Sequence, residues 1–93
     1  ALAADPKHLP SLYRTGVLYA QAQKYPDAIT VWNRYVKITD NDAVAWSNLA
    51  YCQELAGQPG KAEEAYRQGL ARDPNSKPCR INYGLMLARP ARE

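Results

Sequence analysis

Residue class along this 93-residue chain repeats every 34 positions. Literal identity at that offset is sparse. Between residues 9–42 and 43–76, only Ala22/Ala56, Ala28/Ala62 and Asn41/Asn75 coincide. Class agreement is much wider. Gly16, Ala50 and Gly84 are small, Leu18, Cys52 and Met86 are medium-sized and apolar, and Leu2, Val36 and Leu70 are aliphatic. Trp32 falls in phase with Tyr66, and Leu12 with Trp46. Agreement of size without identity is expected where each unit repeats a packing role. A fixed period of this length points to stacked supersecondary units rather than one globular core.

Proline placement supports the same frame. Pro6, Pro10, Pro26, Pro59, Pro74, Pro78 and Pro90 leave proline-free intervals at 11–25, 27–58, 60–73 and 79–89. Proline is tolerated in a first helical turn but not in a helix interior. The 27–58 interval is long for one helix and is broken by Thr39-Asp40-Asn41-Asp42, a polar cluster with capping chemistry. These signals predict helices over 9–22, 26–38, 42–56, 59–72 and 77–89, with residues 1–4 as the last turn of another. Each has apolar residues at helical spacing: Leu9, Leu12, Gly16 and Tyr19 in the first, Ala28, Trp32 and Val36 in the second, Val44, Trp46, Leu49 and Ala50 in the third. Ala62, Tyr66 and Leu70 continue the pattern, then Ile81, Gly84, Leu85 and Met86. Connections this short make neighbouring helices antiparallel.

Composition agrees and excludes several classes. There are 15 Ala and 9 Leu against 4 Val, 3 Ile and 3 Thr, which favours helix over sheet. Cys52, Cys79 and the lone His8 cannot fill a four-ligand zinc site, and the repeat frame separates His8 from both thiols, so no metal, cofactor or catalytic residue is expected. Cys52 is expected in the core, and Cys79, near a helix start, partly exposed. Gly57-Gln58-Pro59-Gly60 reads as a hairpin turn rather than a phosphate loop. No stretch approaches the roughly 20 apolar residues of a membrane span. The net charge of +3 gathers at Lys77, Arg80, Arg89 and Arg92, opposed there only by Glu93. That tail lacks interleaved aromatics apart from Tyr83, which argues against nucleic acid as a partner.

At these residues the chain resembles the tetratricopeptide repeat (TPR) family, whose 34-residue pattern places a large apolar residue, a small one, aromatics, alanine and proline at fixed positions. With position 1 at Leu9, Ala43 and Lys77, position 8 is Gly16, Ala50 and Gly84, position 20 is Ala28 and Ala62, and position 24 is Trp32 and Tyr66. Gly69-Leu70-Ala71-Arg72-Asp73-Pro74-Asn75 is similar to the family's repeat ending, and Ala3-Ala4-Asp5-Pro6 echoes it. Thr15, Asp40, Gln53 and Arg80 depart from the pattern. The resemblance implies an all-α, right-handed solenoid of helical hairpins, about two and a half repeats in one domain. Residues 1–8 end a preceding repeat, 9–42 and 43–76 are repeats, and 77–93 are the first helix of an incomplete one. That division, with Ala1 rather than Met at the start, predicts a piece of a longer protein.

In TPR proteins the first helices of successive repeats line a concave face that holds an extended peptide or a partner helix. The resemblance places on or beside that face Pro10, Tyr13, Arg14, Val17, Ala20 and Gln21, then Val44, Ser47, Asn48, Tyr51, Glu54 and Leu55, then Pro78, Ile81, Asn82, Leu85, Ala88 and Arg89. Tyrosine supplies contact area with a polar tip, and the carboxamides of Asn48 and Asn82 can both donate to and accept from a peptide backbone. The same asparagines can instead bridge helices, and Tyr13 and Tyr51 can serve packing. The predicted partner-binding set is Tyr13, Val17, Ser47, Asn48, Tyr51, Ile81, Asn82 and Leu85. The family's clamp for acidic chaperone tails needs cations where this chain has Tyr13 and Pro78, together with asparagine at Val17 and arginine at Asn82; of its residues only Asn48 is present, so an acidic tail is not the expected partner. The expected function is a non-catalytic scaffold for a protein or peptide partner. The alternatives are self-association through uncovered repeat ends, motivated by Ile81, Leu85 and Met86, and service to an enzyme elsewhere in a parent chain.

Overall fold

Prolines mark the start of four of the five helices in the computed structural model, which describes residues 8–39 and 41–88. The helices are α1 (Leu9–Gln21), α2 (Tyr25–Ile38), α3 (Ala43–Leu55), α4 (Pro59–Arg72) and α5 (Lys77–Ala88). Pro10, Pro26 and Pro78 stand second in α1, α2 and α5, and Pro59 stands first in α4. An amide in the first turn has no intrahelical acceptor, so proline removes no bond there. The predicted helical turn at 1–4 and the charges of Arg89, Arg92 and Glu93 lie outside the described residues.

The turns repeat as the residues do. After α1, Gln23 takes a φ of 62°, and the Lys24 amide donates to the Tyr19 carbonyl at 2.8 Å. After α3, Gly57 takes a φ of 82°, and the Gln58 amide donates to Gln53 at 2.8 Å. The same left-handed C-terminal turn is thus used 34 residues apart, relaxed at Gly57 and strained at Gln23.

The polar cluster between α2 and α3 caps as expected. Asp42 Oδ1 accepts from the Val44 and Ala45 amides at 3.0 and 3.3 Å, and Oδ2 accepts from the Tyr35 hydroxyl at 3.1 Å. One carboxylate therefore caps α3 and ties it to α2. Asp42→Ala is expected to cost about 1–2 kcal/mol, as other cap losses do. That corresponds to a fall in Tm of roughly 4–8 °C per kcal/mol in a domain of this size, readable by thermal circular dichroism.

The hairpins stack in chain order. α1 packs on α2, α3 on α2 and α4, and α5 on both α3 and α4, giving a slab of 42 × 29 × 17 Å. Trp32 and Tyr66, the two in-phase rings, are almost wholly buried. Tyr66 stacks on Tyr83 at 5.5 Å, and the Tyr83 hydroxyl donates to Glu63 at 2.9 Å, fastening α5 to α4. Arg67 completes this surface link by donating to the same Glu63 carboxylate at 2.8 Å.

Two expectations are corrected. α3 buries Ala43, Ala45, Ser47, Leu49, Ala50, Cys52 and Gln53, more of its circumference than one stripe, while Val44 is exposed. It is flanked on three sides, which the periodicity of a single helix does not reveal. Cys79 is not partly exposed but fully buried, its sulfur seated against Gly69 and donating to the Ala43 carbonyl at 3.2 Å. Cys52 is buried as expected, and burial pushes its thiol up to about 11.

Burial also pushes up the Cys79 thiol. Only the thiolate is strongly nucleophilic. At pH 8 the native chain is therefore expected to leave both thiols unmodified by a colorimetric disulfide reagent over minutes, with both reacting once denaturant is added. The Cys52 contribution to stability is fully present below the unfolded thiol pKa of 9.0 and is lost as pH rises toward 11.

Candidate functional site

α3 and α5, whose sequences are in phase 34 residues apart, pack against each other, and a pocket of about 230 Å³ opens between them. Asn48, Tyr51 and Glu54 line it from α3, and Asn82 and Leu85 from α5. On α3 these residues stand three apart, so successive turns present one face. Four of them, Asn48, Tyr51, Asn82 and Leu85, belong to the predicted partner-binding set. Tyr51 and Leu85 are 42% and 52% exposed, so an aromatic ring and an aliphatic side chain face solvent at the pocket. Glu54 lies outside that set, although its repeat position, one turn beyond Tyr51, carries the signal for it.

The remaining predicted residues sit differently. Ser47 is 1% exposed, so it cannot touch a partner; its hydroxyl instead accepts from Asn82 Nδ2 at 3.2 Å behind the pocket. Tyr13 is half-buried and packs edge-on against Trp32 and Tyr35, with centroids 5.0 and 5.9 Å apart. Val17 is half-buried against the same core. Ile81 is 58% exposed but is not among the pocket's lining residues. The geometry thus concentrates the expected trough at its α3–α5 end.

Among the described residues, the lining comprises a carboxylate, two carboxamides, a phenol and an aliphatic side chain. Such a surface offers apolar contact and hydrogen bonds to a segment laid across it, but no nucleophile paired with a base. Among the described residues, no helix is long and apolar enough to cross a membrane. On the outer end of α5, Leu87 is 62% exposed and nothing stands within 4 Å of where a Gly84 side chain would begin. Met86, expected to be uncovered with Ile81 and Leu85, packs partly against the core. Leu18, in phase with the buried Cys52, is 56% exposed on the outer face of α1.

Comparison with known proteins finds the family that the sequence resembles. Two sequence profiles described as tetratricopeptide repeat match residues 43–76 and 11–38. Among curated proteins, the chain is 28% identical over 85 residues to the general transcriptional corepressor trfA of Dictyostelium discoideum, covering 91% of this chain and 6% of that protein. It is 24% identical over 85 residues to the general transcriptional corepressor ssn6 of Schizosaccharomyces pombe, covering 91% of this chain and 8% of that one. The chain therefore spans less than a tenth of the length of either relative. Among solved structures it superposes on MamA from Desulfovibrio magneticus RS-1 with a TM-score of 0.84 and 26% identity, over 91% of this chain and 48% of that one. A MamA double mutant gives the same values.

Proposed function

Because the chain belongs to the tetratricopeptide repeat family, we propose that it is a non-catalytic interaction module that holds a short extended segment or a partner helix across α3 and α5. The observation that carries this reading is the pocket itself, where residues in repeat phase on two successive first helices converge. Tyr51 and Leu85 supply apolar contact, while Asn48 and Asn82 fix the direction of the bound backbone. A surface this short buries less than the usual ~800 Å² per partner, which places the affinity of the isolated chain near the micromolar range.

The test begins with a peptide selected from a displayed random library on the 93-residue chain. Truncating Asn48 and Tyr51 together to alanine is expected to weaken that peptide at least about tenfold, as loss of a central aromatic anchor does. Unchanged binding with unchanged helicity would overturn the assignment. A second reading, self-association through the outer side of α5, is favoured by the exposure of Leu87 and Ile81. Light scattering over a concentration range separates the two: a strict monomer at high concentration excludes self-association.

A further inference from the structure

Three in-phase positions are covered on α1 and α3 but open on α5. They hold Tyr13, Gly16 and Tyr19 on α1, Ser47, Ala50 and Gln53 on α3, and Ile81, Gly84 and Leu87 on α5. Standing three apart, the members of each trio share one helix face. On α1 that face is closed by α2. Tyr13 packs against Trp32 and Tyr35, and the Trp32 ring lies so close to Gly16 that a Cβ there would stand 2.6 Å from it. On α3 the face is closed as well, since Ser47, Ala50 and Gln53 are at most 7% exposed. On α5 it faces solvent. Ile81 is 58% and Leu87 62% exposed, and the glycine between them has open space above it.

The two existing covers share a chemistry. α2 and α4 each run 14 residues and place an alanine one turn before a large ring, Ala28 before Trp32 and Ala62 before Tyr66. All four of these residues are buried. Ring and seat also match in size. Tryptophan lies over Gly16, and in the next hairpin, where Ala50 takes the place of the glycine, the in-phase ring is the smaller tyrosine. The third seat is again a glycine, here between two aliphatic side chains. The five residues after Ala88 are too few to build a 14-residue cover. A second copy has none to lend, because its α2 and α4 are already closed over its own α1 and α3.

We propose that the outer face of α5 docks an amphipathic helix of a separate polypeptide, one that carries a small residue and, four positions later, a tryptophan seated on Gly84 between Ile81 and Leu87. Apolar burial of the ring supplies the contact, as at other helix-binding surfaces. This surface is distinct from the α3–α5 pocket, which is lined from α5 by Asn82 and Leu85.

The probe is a free copy of the α2 cover, a peptide of residues 24–39 with a hydrocarbon staple in place of the exposed Thr30 and Arg34. The staple is needed because a free helix this short is marginal in water. Titrated into the ¹⁵N-labelled chain, it is expected to shift the amides of Ile81, Gly84 and Leu87 saturably. The same peptide with Trp32→Ala should bind at least about tenfold more weakly, as loss of a central aromatic anchor does. In the chain, Gly84→Leu fills the seat and should abolish binding with helicity unchanged. Gly84→Ala should reverse the order of two peptides: the unaltered chain prefers tryptophan over Trp32→Tyr, and the Gly84→Ala chain prefers tyrosine, the pairing of the second hairpin.

Equal binding of the tryptophan and alanine peptides, or the same peptide order in both chains, overturns the proposal. So do shifts centred on α1, which mean exchange with the chain's own α2. Concentration-dependent shifts at Gly84 without peptide mean that a second copy holds the face, and the proposal is then wrong. Docking seen only when the helix is fused behind Glu93 rejects a separate partner, and no shift at Gly84 at millimolar peptide rejects the site.

Discussion

Trp32→Ala is expected to lower the unfolding free energy by about 3–5 kcal/mol, the usual cost of emptying a buried indole site. Trp32 is 1% exposed at the seam between α1 and α2. Tyr13 meets it edge-on at 5.0 Å and Tyr35 at 5.6 Å, while the Gly16 backbone lies directly beneath the ring. Alanine leaves three rigid walls with nothing between them, and a helix pair cannot close the gap without moving Tyr13 off Tyr35. Small domains have about 5–15 kcal/mol in total, so this one change removes much of the margin. Urea titration followed by circular dichroism should show a much lower midpoint, with Trp46 left as the sole indole reporter on α3. Trp32→Phe should cost far less. It keeps a ring in the site and deletes an indole Nε1 that is buried without a hydrogen-bond partner. Equal losses in the two variants would show that packing volume is not what Trp32 contributes.

The fold was legible because its period and its prolines both act locally. A proline at the head of a helix and an aspartate before α3 specify those ends through backbone bonds within a few residues, and the observed starts follow them. What was not legible depends on contacts between distant residues. Cys79 is buried because Gly69 lets α4 close over it, and Ser47 because α5 crosses it. A signal for the first was present, since Cys79 stands in phase with Ala45, itself 0% exposed. The candidate site divides along the same line. Asn48, Tyr51, Asn82 and Leu85, put on the inner face by the family resemblance, do line one pocket between α3 and α5. The resemblance gave Tyr13 the same standing, but its ring packs against Trp32 and Tyr35, an aromatic cluster that the other repeat does not reproduce.

Gly16 and Gly84 occupy one repeat position, yet alanine is expected to act with opposite sign at the two. A Cβ at Gly16 would stand 2.6 Å from Trp32 Cε2 and 2.8 Å from Nε1. The clash is with a ring already packed against Tyr13 and Tyr35, not with a flexible chain end, so α1 must back away from α2. Overpacking of this kind costs about 1–3 kcal/mol. A Cβ at Gly84 meets nothing within 4 Å, and there the intrinsic preference of a helix for alanine over glycine acts unopposed, stabilising by about 0.5–1 kcal/mol. Paired urea titrations of the two variants measure the difference directly. The opposite signs would show that the repeat fixes where a small residue stands, while the neighbouring helix decides whether it must be small. If Gly16→Ala is neutral, Trp32 has room to slide, and the tight α1–α2 seam on which the first hairpin depends is not rigid.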